Sequence, residues 1–353
     1  MNLIAPINQL GYGIAALNIL KELSKVNNVS LFPIGPISVT NQDDMDCVKK
    51  SLDNSQFFDV KQPCLKIWHQ HDMAQFVTSA KRIGMPFFEL DTFNSREIHH
   101  LGSLDKLFVC SHWAKKVCLR QIMLSEKDIS VIPLGVDCNI FKPSAMNESD
   151  KTIFFNCGKW EIRKGHDILI DIFCEAFNPD DNVELWMMCS NPFLKQHEAQ
   201  EWADLYHKSK LGDKVRLLER AETQQEVYNT MTKADCGVFP SRAEGWNLEL
   251  LEMLACGKHV ITTNYSAHTE FCNKENSRLV DINEREVAYD GKWFTGTGKW
   301  AKICPKTRKQ LVEHLRAVHE EKQKGKLEVN NEGIKTASLF SWENTSRKIL
   351  QHV

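Results

Sequence analysis

Short apolar runs alternate with stretches of helical period along most of the chain. In the first part they fall at residues 3–7, 29–33, 65–68, 107–110 and 131–133; farther on they fall at 153–157, 183–189, 215–218, 236–239 and 260–262. Runs of this length, interleaved with helices, predict an α/β fold with parallel sheets assembled from βαβ units. Several helix ends are legible as well. Thr223 followed by Glu226 reads as a capping box, and Ser111 and Ser341 stand before amphipathic stretches. Gly257 suits a helix exit just before the run that starts at Val260. Pro, Ser, Asn and Asp cluster at residues 141–150, FKPSAMNESD, and place a domain boundary there. The domains expected are 1–143 and 151–340, followed by a last helix at 341–353.

Length agrees with that division, since 353 residues exceed one comfortable core. The balance of 42% hydrophobic and 25% charged residues is that of a globular chain, and no run approaches the roughly 20 apolar residues that span a bilayer. Residues 1–10 lack a basic flank and a cleavage site, and are expected to form a first strand rather than a signal peptide. The 12 cysteines include no C-x-x-C pair and sit mostly in apolar runs. Reduced core thiols in a cytoplasmic protein account for them better than a disulfide framework does. The net charge of -2 argues against broad nucleic-acid binding.

Two segments carry the chemistry. Residues 239–264, FPSRAEGWNLELLEMLACGKHVITTN, place a loop between a strand and a helix that starts near Asn247. Amides at such a helix start favour a phosphate, and Gly245 lets a ligand approach the backbone. Glu244 in the loop and Glu252 in the helix suit the paired hydroxyls of sugars or ribose. Taken alone, the two glutamates are equally well explained as solvated helix residues. Residues 154–177, FFNCGKWEIRKGHDILIDIFCEAF, add a strand, a glycine turn and a helix, with Lys159, Arg163 and Lys164 crowding the turn. Cations at that position suit a diphosphate leaving group.

The stretch CGKWEIRKGHDILIDIF resembles the G-R-x-x-x-x-K-G strand–loop–helix of family 4 glycosyltransferases of the GT-B fold. AEGWNLELLEMLACGKHVI resembles the same family's E-G-x-x-x-x-x-x-E block, VIPLGVDCNIFKP its interdomain stretch, and SWENTSRKIL its closing helix. The four blocks occur in the family's order. The resemblance implies two Rossmann-like domains facing across a cleft, with the C-terminal helix crossing back to the first. It implies a retaining transfer of sugar from a nucleotide-diphosphate sugar to an acceptor hydroxyl, with no metal and no other cofactor. Lys159, in place of the usual Arg, and Lys164 would hold the donor diphosphate, with Arg163 beside them. Glu252 would hold the ribose, Glu244 the sugar hydroxyls or the developing charge, and the backbone of Gly245, Trp246, Asn247 and Leu248 the sugar pocket. Lys159 keeps a point charge where Arg would offer a fork.

The N-terminal half offers further candidates. Gly11 and Gly13 follow the first strand as a ligand-facing loop would, or as a plain tight turn does. His69, His71 and Asp72 sit at a strand end, where a metal cluster and a structural histidine are the alternatives. Gln70-His71-Asp72 also resembles a strand-end motif of phage DNA α-glucosyltransferases, which assigns His71 and Asp72 to the acceptor and sugar region. Residues 89–96 border an acceptor pocket or form a capped helix start. Residues 290–300, DGKWFTGTGKW, form a lid over the sugar or a surface loop. The acceptor itself (glycan, lipid, small molecule, protein or modified DNA base) is not named by these patterns. Rival readings are another GT-B activity, an epimerase or phosphorylase, and a nucleotide-sugar-binding protein without turnover.

Overall fold

The computed structural model describes residues 1–353. The chain divides into two compact units, one made of Met1–Asp137 with Leu339–Val353, the other of Cys138–Ser338. The expected boundary at 141–150 therefore moves to Asp137/Cys138. The physical reason is the anchoring of the Pro- and Ser-rich stretch. Ser144 donates from both its amide (3.1 Å) and its hydroxyl (3.2 Å) to the Cys256 carbonyl, and Lys258 Nζ donates to the Ala145 carbonyl at 2.7 Å.

Unit 1 holds a parallel sheet of β1 (Asn2–Ala5), β2 (Ser30–Pro33), β3 (Cys64–Lys66), β4 (Arg82–Gly84), β5 (Lys106–Val109) and β6 (Ile129–Val131), in the order β2-β1-β3-β4-β5-β6. Its helices are α1 (Gly11–Ser24), α2 (Gln42–Ser55), α3 (Ser95–Gly102) and α4 (His112–Gln121), joined by the chain's last helix. The Ser111 cap is present, its side chain accepting from the Ala114 amide. Residues 94–97 form the reciprocal capping box of Asn94 and Glu97 that opens α3, the capped-helix reading of that segment.

Unit 2 holds β7 (Thr152–Gly158), β8 (Val183–Cys189), β9 (Val215–Leu217), β10 (Cys236–Phe239), β11 (His259–Thr263) and β12 (Arg278–Val280), all parallel in the order β12-β11-β10-β7-β8-β9. The strand order reverses between β7 and β10, which makes that boundary the sheet's topological switch point. A separate antiparallel pair follows, β13 (Arg285–Tyr289) with β14 (Thr295–Ala301), so residues 290–300 are the turn and most of the second strand of a hairpin. The helices are α5 (His166–Ala176), α6 (Gln196–His207), α7 (Gln224–Met231), α8 (Leu248–Ala255), α9 (Pro305–Gln323) and α10 (Asn331–Leu339); α11 (Trp342–His352) closes unit 1. The Thr223–Glu226 capping box opens α7 as expected, and Gly257 leaves α8 at a φ of +74°. Phe154 and Leu185 from the central strands share a core with Ile170 and Phe173 of α5 and Leu311 and Leu315 of α9. That core holds the C-terminal ends of β7 and β10 side by side. All twelve cysteines are free.

Candidate functional site

The two loops at the switch point of unit 2 are bound to each other by charge. Glu244, in the loop after β10, is 4% exposed. Its Oε2 accepts from Arg163 Nη1 at 2.6 Å, and its Oε1 accepts from Lys164 Nζ at 3.1 Å and Ser241 Oγ at 3.0 Å. Burial alone would raise this carboxyl, but Arg163 and then Lys164 reverse that and hold it well below the usual carboxylate range. Burial likewise opposes the charge on Lys164, and Glu244 with Glu249 overcomes it and raises the amine. Arg163 lies beneath the site. Its guanidinium also donates to Glu161 Oε2 at 2.6 and 3.1 Å and to the Ala243 carbonyl at 2.7 Å. The structure thus makes it the joint between the loops, its donors already engaged by the chain. Lys159 stays 39% exposed at its side chain, 3.0 Å from Glu161 Oε1 and with Nζ 5.8 Å from the Phe193 ring centre.

Two buried histidines, with no signature in the local sequence, brace these loops. His166 Nε2 donates to Asn156 Oδ1 at 2.9 Å while its Nδ1 accepts from the Glu161 amide at 3.3 Å. Burial pulls its pKa down to about 3, so the ring is neutral and fixes the turn to the start of α5. His268 Nε2 accepts from Asn247 Nδ2 at 2.9 Å, and its Nδ1 donates to the Thr263 carbonyl at 3.1 Å; burial lowers it to about 4. That contact holds Asn247, the α8 cap, at a φ of +90°, a region costly for a side-chain-bearing residue. Ser266, at a φ of +53°, accepts the Glu244 amide on its hydroxyl at 2.8 Å.

Asn247 Oδ1 caps the Leu250 amide at 3.1 Å, leaving the amides of Leu248 and Glu249 at the open end of α8. The Trp246 ring is buried and packs 4.8 Å from Phe271. Glu252, on the next turn, is 7% exposed and its carboxyl has no hydrogen bond or ion pair; burial, and then the charge of Glu249, push that carboxyl well above the usual range. The hairpin fastens to the same loops through Arg242. Its amide donates to the Arg163 carbonyl at 2.7 Å, its guanidinium makes a bidentate pair with Asp167 at 2.7 and 2.8 Å, and its carbonyl accepts from the Ala301 amide at 2.9 Å.

The unit 1 candidates gather at that unit's own switch point, between β1 and β3. Gly11 and Gly13 lie in the first turn of α1 rather than in a loop. A Cβ on Gly13 would stand 2.3 Å from the Asn8 carbonyl oxygen, so close backbone packing requires this glycine. His71 and Asp72 occupy a short 3-10 turn, Gln70–Asp72, after β3. His71 stacks on His69 at 5.4 Å, and Asp72 lies 3.8 Å from the buried Lys66 amine. No group of three or more His, Cys, Asp or Glu residues is placed to hold a metal ion.

Residues 151–290 match the family model described as Glycosyl transferases group 1. The matched residues all lie in unit 2. The chain is similar to a phosphatidylinositol N-acetylglucosaminyltransferase component of Arabidopsis thaliana, with 25% identity over 164 residues, 46% of this chain and 35% of that protein. It is similar to the gpi3 component of the enzyme of that name in Schizosaccharomyces pombe, with 22% identity over 189 residues, 53% of this chain and 40% of that one. The matched regions thus span two fifths or less of those relatives. Among solved structures, sucrose-phosphate synthase from Thermosynechococcus elongatus superposes with a TM-score of 0.73 at 15% identity, covering 99% of this chain and 97% of that one. Anabaena HepE in complex with UDP and glucose superposes at 0.70 and 15% identity, covering 99% and 98%. The fold is GT-B, two parallel-sheet α/β domains of six strands each. No helix is long and apolar enough to cross a membrane.

Proposed function

We propose that unit 2 binds a nucleotide-diphosphate sugar and that the chain is a glycosyltransferase that transfers the sugar, with retention, to an acceptor hydroxyl without a metal. The observation that carries this reading is the contrast at the switch point. Lys164 is held charged by Glu244, while Glu252 nearby is buried and unpartnered, as a carboxyl waiting for a ribose diol would be. Lys159, Lys164 and the amides of Leu248 and Glu249 would receive the diphosphate. As the bond from the anomeric carbon to the phosphate oxygen breaks, the acceptor oxygen bonds to that carbon on the same face. The departing phosphate oxygen takes the acceptor's proton, so no side-chain base is required. Glu244 acts first as the charge partner that orients Lys164 and Arg163, because its oxygens are already occupied. His71 and Asp72 are the unit 1 candidates for the acceptor.

HepE holds UDP and glucose, and the curated relatives are named for N-acetylglucosaminyl transfer, so UDP, UDP-glucose and UDP-N-acetylglucosamine are the first ligands to test. A melting screen over these and other nucleotide sugars should show a rise for the true donor. Slow donor hydrolysis should follow in the presence of EDTA. No shift with any nucleotide or nucleotide sugar would sink the reading; hydrolysis abolished by EDTA would sink its metal-free form. An epimerised free sugar as the sole product would point to the rival epimerase.

A further inference from the structure

Gly158 ends β7 at a φ of +133°, and the space a Cβ would fill there is bordered by Lys164 Nζ at 3.3 Å and Glu249 Oε1 at 3.3 Å. A cation from the turn before α5 and an anion from the first turn of α8 therefore border the same niche. The two are not equivalent. Lys164 already has Glu244 at 3.1 Å, and Lys159 has Glu161 at 3.0 Å. Glu249 has no ion pair or hydrogen bond of its own, is only partly buried, and stands beside the open amides of α8. A diphosphate entering here meets Lys159 and Lys164, each held by a carboxylate that it shares with Arg163, and a further carboxylate, Glu249, that no hydrogen bond or ion pair engages.

We infer that Glu249 is a specificity-determining residue that makes the site favour the sugar-bearing diphosphate over the free nucleoside diphosphate. This rests on the donor-site reading above. A nucleotide-diphosphate sugar carries one negative charge on each phosphate. Once the sugar has left, the terminal phosphate gains a second ionisation with a pKa near 6, so the product carries close to one more negative charge at neutral pH. A carboxylate beside the niche repels both species and repels the more charged one more strongly. Glu249 thereby hastens departure of the product while the ribose and sugar contacts hold the donor.

The test is calorimetric titration of the whole chain with UDP and with UDP-glucose, for the wild type, Glu249→Gln and Glu249→Asp. The Gln variant should bind UDP roughly five- to tenfold more tightly at low salt, and UDP-glucose only about two- to threefold more tightly. The Asp variant, which draws the charge back by one methylene, should fall between wild type and Gln. Raising the salt should shrink the difference. Equal gains for both ligands, or weaker UDP binding by a Gln variant that melts like the wild type, would overturn the inference while leaving the donor site standing. Binding of neither ligand by any of the three proteins would overturn both.

Discussion

Glu244 and Glu252 are eight positions apart and experience opposite electrostatics. Glu244 joins two buried cations, so Glu244→Gln leaves Arg163 and Lys164 without their shared partner. Breaking such a buried pair should cost about 3–5 kcal/mol in urea denaturation. Its folded pKa lies below the ordinary 4.5, so the stability it adds is present above that value and lost as pH falls below it. The acid limb of a stability–pH profile should be shallower in the variant. Glu252 has the reverse sign. The folded state holds its proton more tightly than the unfolded chain, so its contribution is full below 4.5 and is lost as pH rises above it. Glu252→Gln should therefore raise the melting temperature at pH 7 while weakening nucleotide binding about tenfold, the loss of one hydrogen bond. A variant that melts lower and binds normally would remove Glu252 from the ribose. The loop-and-helix spacing of the two glutamates is legible in the sequence. Which one is saturated is not, because Arg163 and Lys164 meet Glu244 only once β7 and β10 are neighbours. His166, Ser266 and His268 are hidden for the same reason: their partners lie on other elements or in turns without a periodic pattern.

At the scale of elements, the most fully buried strands, β1, β3, β5, β7, β8, β10 and β11, are all visible as apolar runs. Two others carry no such run. β4 is only Arg82–Gly84, with charge at its start and glycine at its end, and β12 begins with Arg278 at a sheet edge. The β13–β14 hairpin reads in the sequence as a lid or a surface loop because Gly296 and Gly298, at φ values of +102° and +77°, interrupt the alternation in β14. Its fixed point is Trp300, 2% exposed, lying against the Arg242 guanidinium (5.8 Å) and donating to Glu286 Oε1 at 3.2 Å. Trp300→Ala should cost about 3–5 kcal/mol by thermal or chemical unfolding. Because Arg242 ties the hairpin to Asp167 and to the Arg163 carbonyl, the donor KM should rise as well. A stability loss with an unchanged KM would show that the hairpin braces the core without ordering the donor loops.

The whole chain is discontinuous in one unit and continuous in the other. The composition shift at 141–150 marks a real loop, but such a cluster records where backbone turns, not which core it packs on; Ser144 and Ala145 bond into unit 2. The closing helix is legible from Ser341 and the amphipathic run behind it, and its assignment to unit 1 follows from contacts within that unit. The Val136 amide donates to the Phe340 carbonyl at 2.8 Å, Thr345 Oγ1 donates to the Pro133 carbonyl at 2.8 Å, and α11 packs on α1. A Cβ on Gly135 would stand 2.3 Å from the Trp342 amide nitrogen, so the two segments touch backbone to backbone. Trp342 and Ile349 are both buried, and losing both should remove about 5 kcal/mol of apolar burial. A chain ending at Ser338 should accordingly lose hydrogen-exchange protection through β1 to β6, while β7 to β12 stay protected and the nucleotide still raises their protection. Equal loss across both sheets would show that the stability of unit 2 depends on unit 1. Full protection of β1 to β6 without α11 would show that the returning helix is dispensable to the core it covers.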